Sequence, residues 1–122
     1  MKTILVADDD EAILKIYSFM LRRVGYQVVT FVDGVTTYEY IQKNPPDLVL
    51  IDVMMPKLSG FEIIDRMKTD NALKSIPIIV ITNLSENSIS QTAINKGALK
   101  CLIKDQMVPK QIVAEIQKIV PL

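Results

Sequence analysis

The stretch from Pro45 to Gly60, PPDLVLIDVMMPKLSG, constrains this chain more than any other. An unbroken apolar run, Leu48-Val49-Leu50-Ile51, ends in a single carboxylate, Asp52. Pro45-Pro46 precede the run and Pro56 follows it, which leaves no room for a helix. A short run rich in branched residues between such breakers reads as a strand buried on both faces. Such strands occur in parallel sheets covered by helices, and their C-terminal ends are where ligands collect. Asp52 therefore stands at the edge of the sheet where chemistry is expected.

Four further strands fit the same pattern: Thr3 to Ala7, Gln27 to Phe31, Ile78 to Thr82 and Lys100 to Ile103. Helical spacing lies between them. Ile13, Tyr17, Met20, Leu21 and Val24 fall on one face, with Asp10 as N-cap and Gly25 as stop. A second helix opens at Asp33-Gly34 and turns Val35, Tyr38 and Ile41 inward, and a third carries Phe61, Ile64 and Met67. A weaker, polar helix spans 85–96 with Ile89, Ala93 and Ile94. The last starts at Pro109 with Ile112, Ile116 and Ile119. Alternation of this kind implies parallel strands, right-handed crossovers and helices on both faces. The expected fold is α/β, a three-layer doubly wound sheet of flavodoxin-like type, in the order 2-1-3-4-5. With 122 residues and neither repeat nor linker, the chain reads as one domain, 1–122.

Bulk properties narrow the function classes. The formal net charge is zero, against the basic excess expected of a nucleic-acid binder. No apolar run approaches the ~20 residues of a membrane span, and no leader is apparent before the first strand. The one cysteine, Cys101, allows no internal disulfide, and a cytoplasmic location is the expectation. The absence of histidine removes imidazole bases, nucleophile activation and metal ligation together.

The chemistry must then come from carboxylates, lysine, hydroxyls and backbone. The expected topology gathers Asp8 and Asp9, at the end of strand one, beside Asp52 at the end of strand three. Two carboxylates about 5 Å apart repel by roughly 3 kcal/mol at an effective dielectric near 20. A cluster of three raises a pKa or recruits a cation. Oxygen-only ligands select a hard ion, and Mg²⁺ is the natural occupant. Thr82 and Lys104, at the ends of strands four and five, add a hydroxyl and an ammonium. Together these make a site for phosphoryl oxygens, with Asp52 as nucleophile. Each signal alone has a plainer reading: an Asp triplet caps a helix, a threonine ends a strand, a lysine is a surface residue, Met54 and Met55 are packing. The conjunction at one sheet edge carries the argument.

The chain resembles the receiver domain of two-component response regulators along essentially its whole length. The resemblance rests on ILVADDDEAIL, PDLVLIDVMMPKLSG, PIIVITN and GALKCLIKD, in that order. It implies that Asp52 is the phosphoacceptor, and that Asp9, Asp52 and the Met54 backbone carbonyl hold Mg²⁺ with Asp8 assisting. It implies that Thr82 and Lys104 contact the phosphoryl group. The implied donor is a phosphohistidine on a sensor histidine kinase or a phosphotransfer protein. It implies that phosphorylation switches a surface formed by the fourth helix, fifth strand and fifth helix, for an output domain, a target protein or a second copy of the chain. It implies no direct nucleic-acid or membrane partner, and a signalling phosphoacceptor rather than an enzyme.

Three positions depart from the family pattern. Asp105 follows the lysine where proline is usual, and a cis bond there would cost about 3–4 kcal/mol, so trans is expected. Cys101 stands where an aromatic ring often couples to the threonine. Met54 and Leu84, two residues after Asp52 and Thr82, are apolar where polar groups are frequent, which predicts hindered water attack and slow hydrolysis of the phosphoprotein. Competing readings are a receiver-like interaction module that takes no phosphate, and an Mg²⁺-dependent phosphatase using Asp8 and Asp10, disfavoured by the lack of room for a substrate cap. A flavin protein of the same topology is disfavoured because the first loop offers carboxylates to a phosphate.

Overall fold

The computed structural model describes all residues from 1 to 122. Its elements are β1 (Thr3–Ala7), α1 (Glu11–Val24), β2 (Gln27–Phe31), α2 (Gly34–Lys43), β3 (Leu48–Asp52), α3 (Gly60–Lys68), β4 (Ile78–Thr82), α4 (Asn87–Lys96), β5 (Lys100–Ile103) and α5 (Pro109–Ile119). A single 3₁₀ turn, Lys104–Gln106, joins β5 to α5. The five strands are parallel in the order β2-β1-β3-β4-β5, as expected from the alternation.

Strand alternation splits the interior into two cores. Leu5, Val49, Ile51, Ile78 and Val80 face Ile41 of α2, Ile63, Ile64 and Met67 of α3, and Ala93 of α4. Ile4, Val6, Leu48, Leu50, Ile79 and Ile81 face Leu14, Tyr17 and Leu21 of α1 and Ile112, Val113 and Ile116 of α5. β3 and β4 are buried at every position, so these two strands anchor the site. Each fully buried Ile or Leu contributes on the order of 1.5–3 kcal/mol through removal from water.

The helix ends follow their sequence signals. Asp10 caps α1, its Oδ1 accepting from the Ala12 and Ile13 N–H groups at 3.0 and 3.4 Å. Gly25 closes the helix in the left-handed region at φ 115°. Ser59 and Glu62 form a reciprocal capping box at the start of α3. α4 starts at Asn87 rather than Ser85, and Glu86 before it supplies no side-chain cap.

Several helix faces differ from the spacing argument. Val24, Val35 and Ile94 are exposed and Ile13 is only partly covered. Leu14, Ser18, Thr37, Ile63 and Val113 are buried in their stead. A three- and four-residue repeat defines a stripe, but the tilt of the helix on the sheet decides which edge of the stripe points inward.

At Gly34 the chain passes the loop after β3 so closely that a Cβ would lie 1.8 Å from the Leu58 carbonyl oxygen. The Gly34 N–H donates to the Pro56 carbonyl at 3.1 Å. This contact ties the start of α2 to the loop that follows Asp52.

Candidate phosphoacceptor site

The register explains why distant residues meet. Ala7 pairs with Ile51, Asp52 with Ile81, and Thr82 with Ile103. The residues that follow each strand, Asp8-Asp9 after β1 and Lys104 after β5, emerge at the same edge. Asp8, Asp9 and Asp52 offer ligand oxygens that all lie within 4.8 Å of one another. Asp8, Asp52 and Thr82 are buried, while Asp9 is exposed at the mouth.

Lys104 spans the pocket. Its Nζ lies 2.6 Å from Asp8 Oδ2 and 2.9 Å from Asp52 Oδ2. Only the contact to Asp52 has hydrogen-bond geometry. Asp8 Oδ1 accepts from the Asp10 N–H at 3.0 Å, whereas Asp8 Oδ2 is buried with the Lys104 ammonium as its ion-pair partner and no other donor. Asp52 Oδ1 accepts from the Met54 N–H at 3.2 Å. Thr82 Oγ1 accepts from the Leu84 N–H at 3.0 Å, which fixes its position and leaves the hydroxyl proton to donate.

Burial raises the Asp8 carboxyl above its ordinary pKa, against the opposing pull of Lys104 and the Asp10 N–H. Burial would lower the Lys104 ammonium, but the close carboxylates of Asp8 and Asp52 outweigh it, and the net shift is upward. Tyr17, read in the sequence only as a core residue, also feels the pocket. Burial raises its hydroxyl, Lys104 lowers it, and Asp8 and Asp52 add to the rise.

By formal charge, three carboxylates against one ammonium leave the pocket net negative. A clustered, net negative, oxygen-only ligand set fits a hard divalent cation. Asp10 caps α1 through its Oδ1 and lies outside the cluster formed by Asp8, Asp9 and Asp52, which gives the phosphatase reading based on Asp8 and Asp10 no support.

Comparison with known proteins agrees with this arrangement. Residues 4–117 match the response regulator receiver domain family. The chain belongs to that family. It is 34% identical over 116 residues to the response regulator GtcR of Aneurinibacillus migulanus, covering 95% of this chain and 46% of that protein. It is 36% identical to the probable transcriptional regulator ycf27 of Cyanophora paradoxa, covering 97% of this chain and 48% of the relative. The receiver thus spans just under half the length of these relatives. Among solved structures, the chemotaxis protein CheY4 of Vibrio cholerae superposes with a TM-score of 0.89 at 28% identity, covering 98% of this chain and 99% of that one. The receiver is accordingly part of two-component signalling, a signalling fold rather than a classical enzyme.

The departures from the family pattern have structural counterparts. Every peptide bond is trans, Lys104–Asp105 included. Cys101 is partly buried in β5, packed against the core beneath α4. Met54 is 63% exposed at the mouth of the pocket, and Leu84 is partly covered. No helix is long and apolar enough to cross a membrane.

Proposed function

We propose that this receiver accepts a phosphoryl group on Asp52 from a phosphohistidine donor, with Mg²⁺ held by Asp9, Asp52 and the Met54 carbonyl and assisted by Asp8. The observation that carries the reading is the single Lys104 ammonium shared between Asp8 Oδ2 and Asp52 Oδ2, beside three carboxylates whose oxygens lie within 4.8 Å of one another. A carboxylate oxygen of Asp52 attacks phosphorus, the phosphorus–nitrogen bond of the donor breaks, and an acyl phosphate forms. When bound, the divalent ion neutralises phosphoryl oxygens and the crowded carboxylates. Lys104 then exchanges its bond to the Asp52 carboxylate for one to a phosphoryl oxygen. Thr82 donates its hydroxyl proton to another. The Met54 N–H keeps Asp52 oriented.

The donor is a sensor histidine kinase or a histidine phosphotransfer protein. α1 starts beside the pocket and exposes Ile16 (46%) and Phe19 (61%), an apolar stripe suited to a helical donor. Phosphorylation adds about −1.5 to −2 charges beside Thr82 and Lys104. The responding surface is α4, β5 and α5. α4 buries only Ala93 and leaves Ile94 exposed, so it is the least anchored helix. Its occupant is an output domain or target protein, as the length and name of the ycf27 relative favour, or a second copy of the chain. Residues 1–122 act as one receiver unit in the cytoplasm, without direct contact to nucleic acid or membrane.

Incubation with acetyl phosphate and Mg²⁺ tests this. The expected result is a mass gain of one phosphoryl group that chelation abolishes and Asp52→Asn removes. No gain in the wild type overturns the assignment and leaves the interaction-module reading, and an undiminished gain in Asp52→Asn overturns it by placing the phosphoryl group on another residue.

A further inference from the structure

Of the six methionines, only Met1 and Met54 are exposed. Met67 is fully buried, Met55 packs on one core, and Met20 and Met107 pack on the other. Met54 belongs to neither. Its backbone is pinned beside Asp52 by the 3.2 Å hydrogen bond to Oδ1, while its thioether projects from the pocket mouth into solvent. The side chain therefore contributes nothing to packing that a polar replacement would cost. It is also the nearest flexible apolar group in sequence to the proposed phosphoryl position.

From this we propose that Met54 is an oxidation site through which a peroxide shortens the lifetime of phospho-Asp52. The inference rests on the phosphoacceptor reading above. In the step, one peroxide oxygen transfers to the Met54 sulfur. The oxygen–oxygen bond breaks and a sulfur–oxygen bond forms. The sulfur is oxidised, and hydrogen peroxide is reduced to water. The product is a polar sulfoxide where an apolar thioether stood. The thioether gives a water at the pocket mouth no strong hydrogen-bond acceptor. The sulfoxide oxygen is a hydrogen-bond acceptor that holds and orients a water there. The fold is untouched because no core contact involves this side chain.

The experiment uses the whole chain and dilute hydrogen peroxide. Peptide mass spectrometry follows which methionine gains oxygen. Gain at Met54 ahead of Met20, Met55, Met67 and Met107 is expected. Oxidised and untreated protein are then loaded with acetyl phosphate and Mg²⁺, the donor is removed, and loss of the phosphoryl group is timed. The oxidised form is expected to lose it at least about fivefold faster, short of the about 10²-fold of a fully positioned general base. Met54→Leu has no thioether, so its decay rate, whatever its value, is expected to be the same before and after peroxide. Treatment with a methionine sulfoxide reductase restores the original rate in the wild type.

Equal decay rates in oxidised and untreated wild type overturn the proposal, as does a peroxide effect that persists in Met54→Leu. A drop in the urea unfolding midpoint that parallels the faster decay assigns the effect to core damage and overturns it too. If untreated protein takes up no phosphoryl group, the phosphoacceptor reading itself fails, a result distinguishable from all of these.

Discussion

The Cα of Gly60 lies so close to Asp52 that a Cβ built on it would stand 2.3 Å from the Asp52 carbonyl oxygen. The first residue of α3 is thus packed on the backbone of the proposed phosphoacceptor, and the Gly60 N–H donates to the Val53 carbonyl at 2.9 Å. Gly60→Ala must displace one chain from the other, because the obstructing atom is backbone. The expected cost is about 1–3 kcal/mol, read as a lower urea midpoint at unchanged slope. Phosphoryl uptake from acetyl phosphate is expected to fall with it. An unshifted midpoint would mean that the loop relaxes freely.

Asp8→Asn is expected to stabilise the metal-free protein. Burial raises the Asp8 carboxyl, so its contribution to stability is present below the unfolded-state pKa and is lost as pH rises through the folded value. At neutral pH the ionised carboxylate therefore opposes folding, and the amide removes that opposition while Lys104 keeps Asp52. In the wild type, Mg²⁺ at about 100 times its dissociation constant adds about 2.7 kcal/mol. In Asp8→Asn most of that increment disappears. Urea denaturation of both proteins, with Mg²⁺ and with chelator, checks both signs.

These two effects show what the sequence makes legible. β1, β3 and β4 can be located because buried parallel strands read as continuous apolar runs, while the partly covered edge strands β2 and β5 are placed by the alternation with helices, and Asp8, Asp9, Asp52, Thr82 and Lys104 follow from the strand ends. The orientation of the helices cannot be read so directly. Val24 and Val35 satisfy a helical stripe yet face solvent, while Ser18 and Thr37 are buried. Nor does the sequence indicate that Lys104 reaches Asp8 as closely as Asp52, or that its ammonium is the one partner of the buried Asp8 Oδ2. Those depend on side-chain paths across the sheet edge, which no spacing rule encodes.

Removing the Lys104 ammonium leaves Asp8 and Asp52 buried beside each other without their shared cation. Lys104→Met is expected to destabilise the metal-free protein by about 3 kcal/mol, since breaking a buried pair strands its partner charges. Added Mg²⁺ should recover part of the loss. Phosphorylation, where it still occurs, should no longer reach the α4–β5–α5 surface, a change visible as missing amide shifts there by NMR. The wild type carries the matching pH signature. The Lys104 contribution is present below the unfolded lysine pKa and is lost as pH rises through the raised folded value, so alkaline unfolding should be delayed relative to an ordinary lysine pair.

Met54→Asn replaces the exposed apolar group at the mouth with an amide able to hold a water. The phosphoryl lifetime is expected to shorten by roughly tenfold, less than the about 10²-fold of full general-base assistance. Decay after donor removal measures it. An unchanged lifetime would locate the barrier to water elsewhere, with Leu84 the next residue to substitute.

Lys57 adopts φ 71°, the only non-glycine residue in the left-handed region. It is exposed in the loop between Asp52 and Gly60, next to the Pro56 carbonyl that accepts from Gly34. A side chain in this region costs roughly 1–2 kcal/mol, and glycine removes that cost while losing some through the greater freedom of the unfolded chain. Lys57→Gly is therefore expected to gain about 0.5–1 kcal/mol, seen as a higher urea midpoint. Because the turn keeps its shape, phosphoryl uptake at Asp52 should be unchanged. A gain in stability with lost uptake would mean that the Lys57 charge, rather than its backbone, serves the pocket.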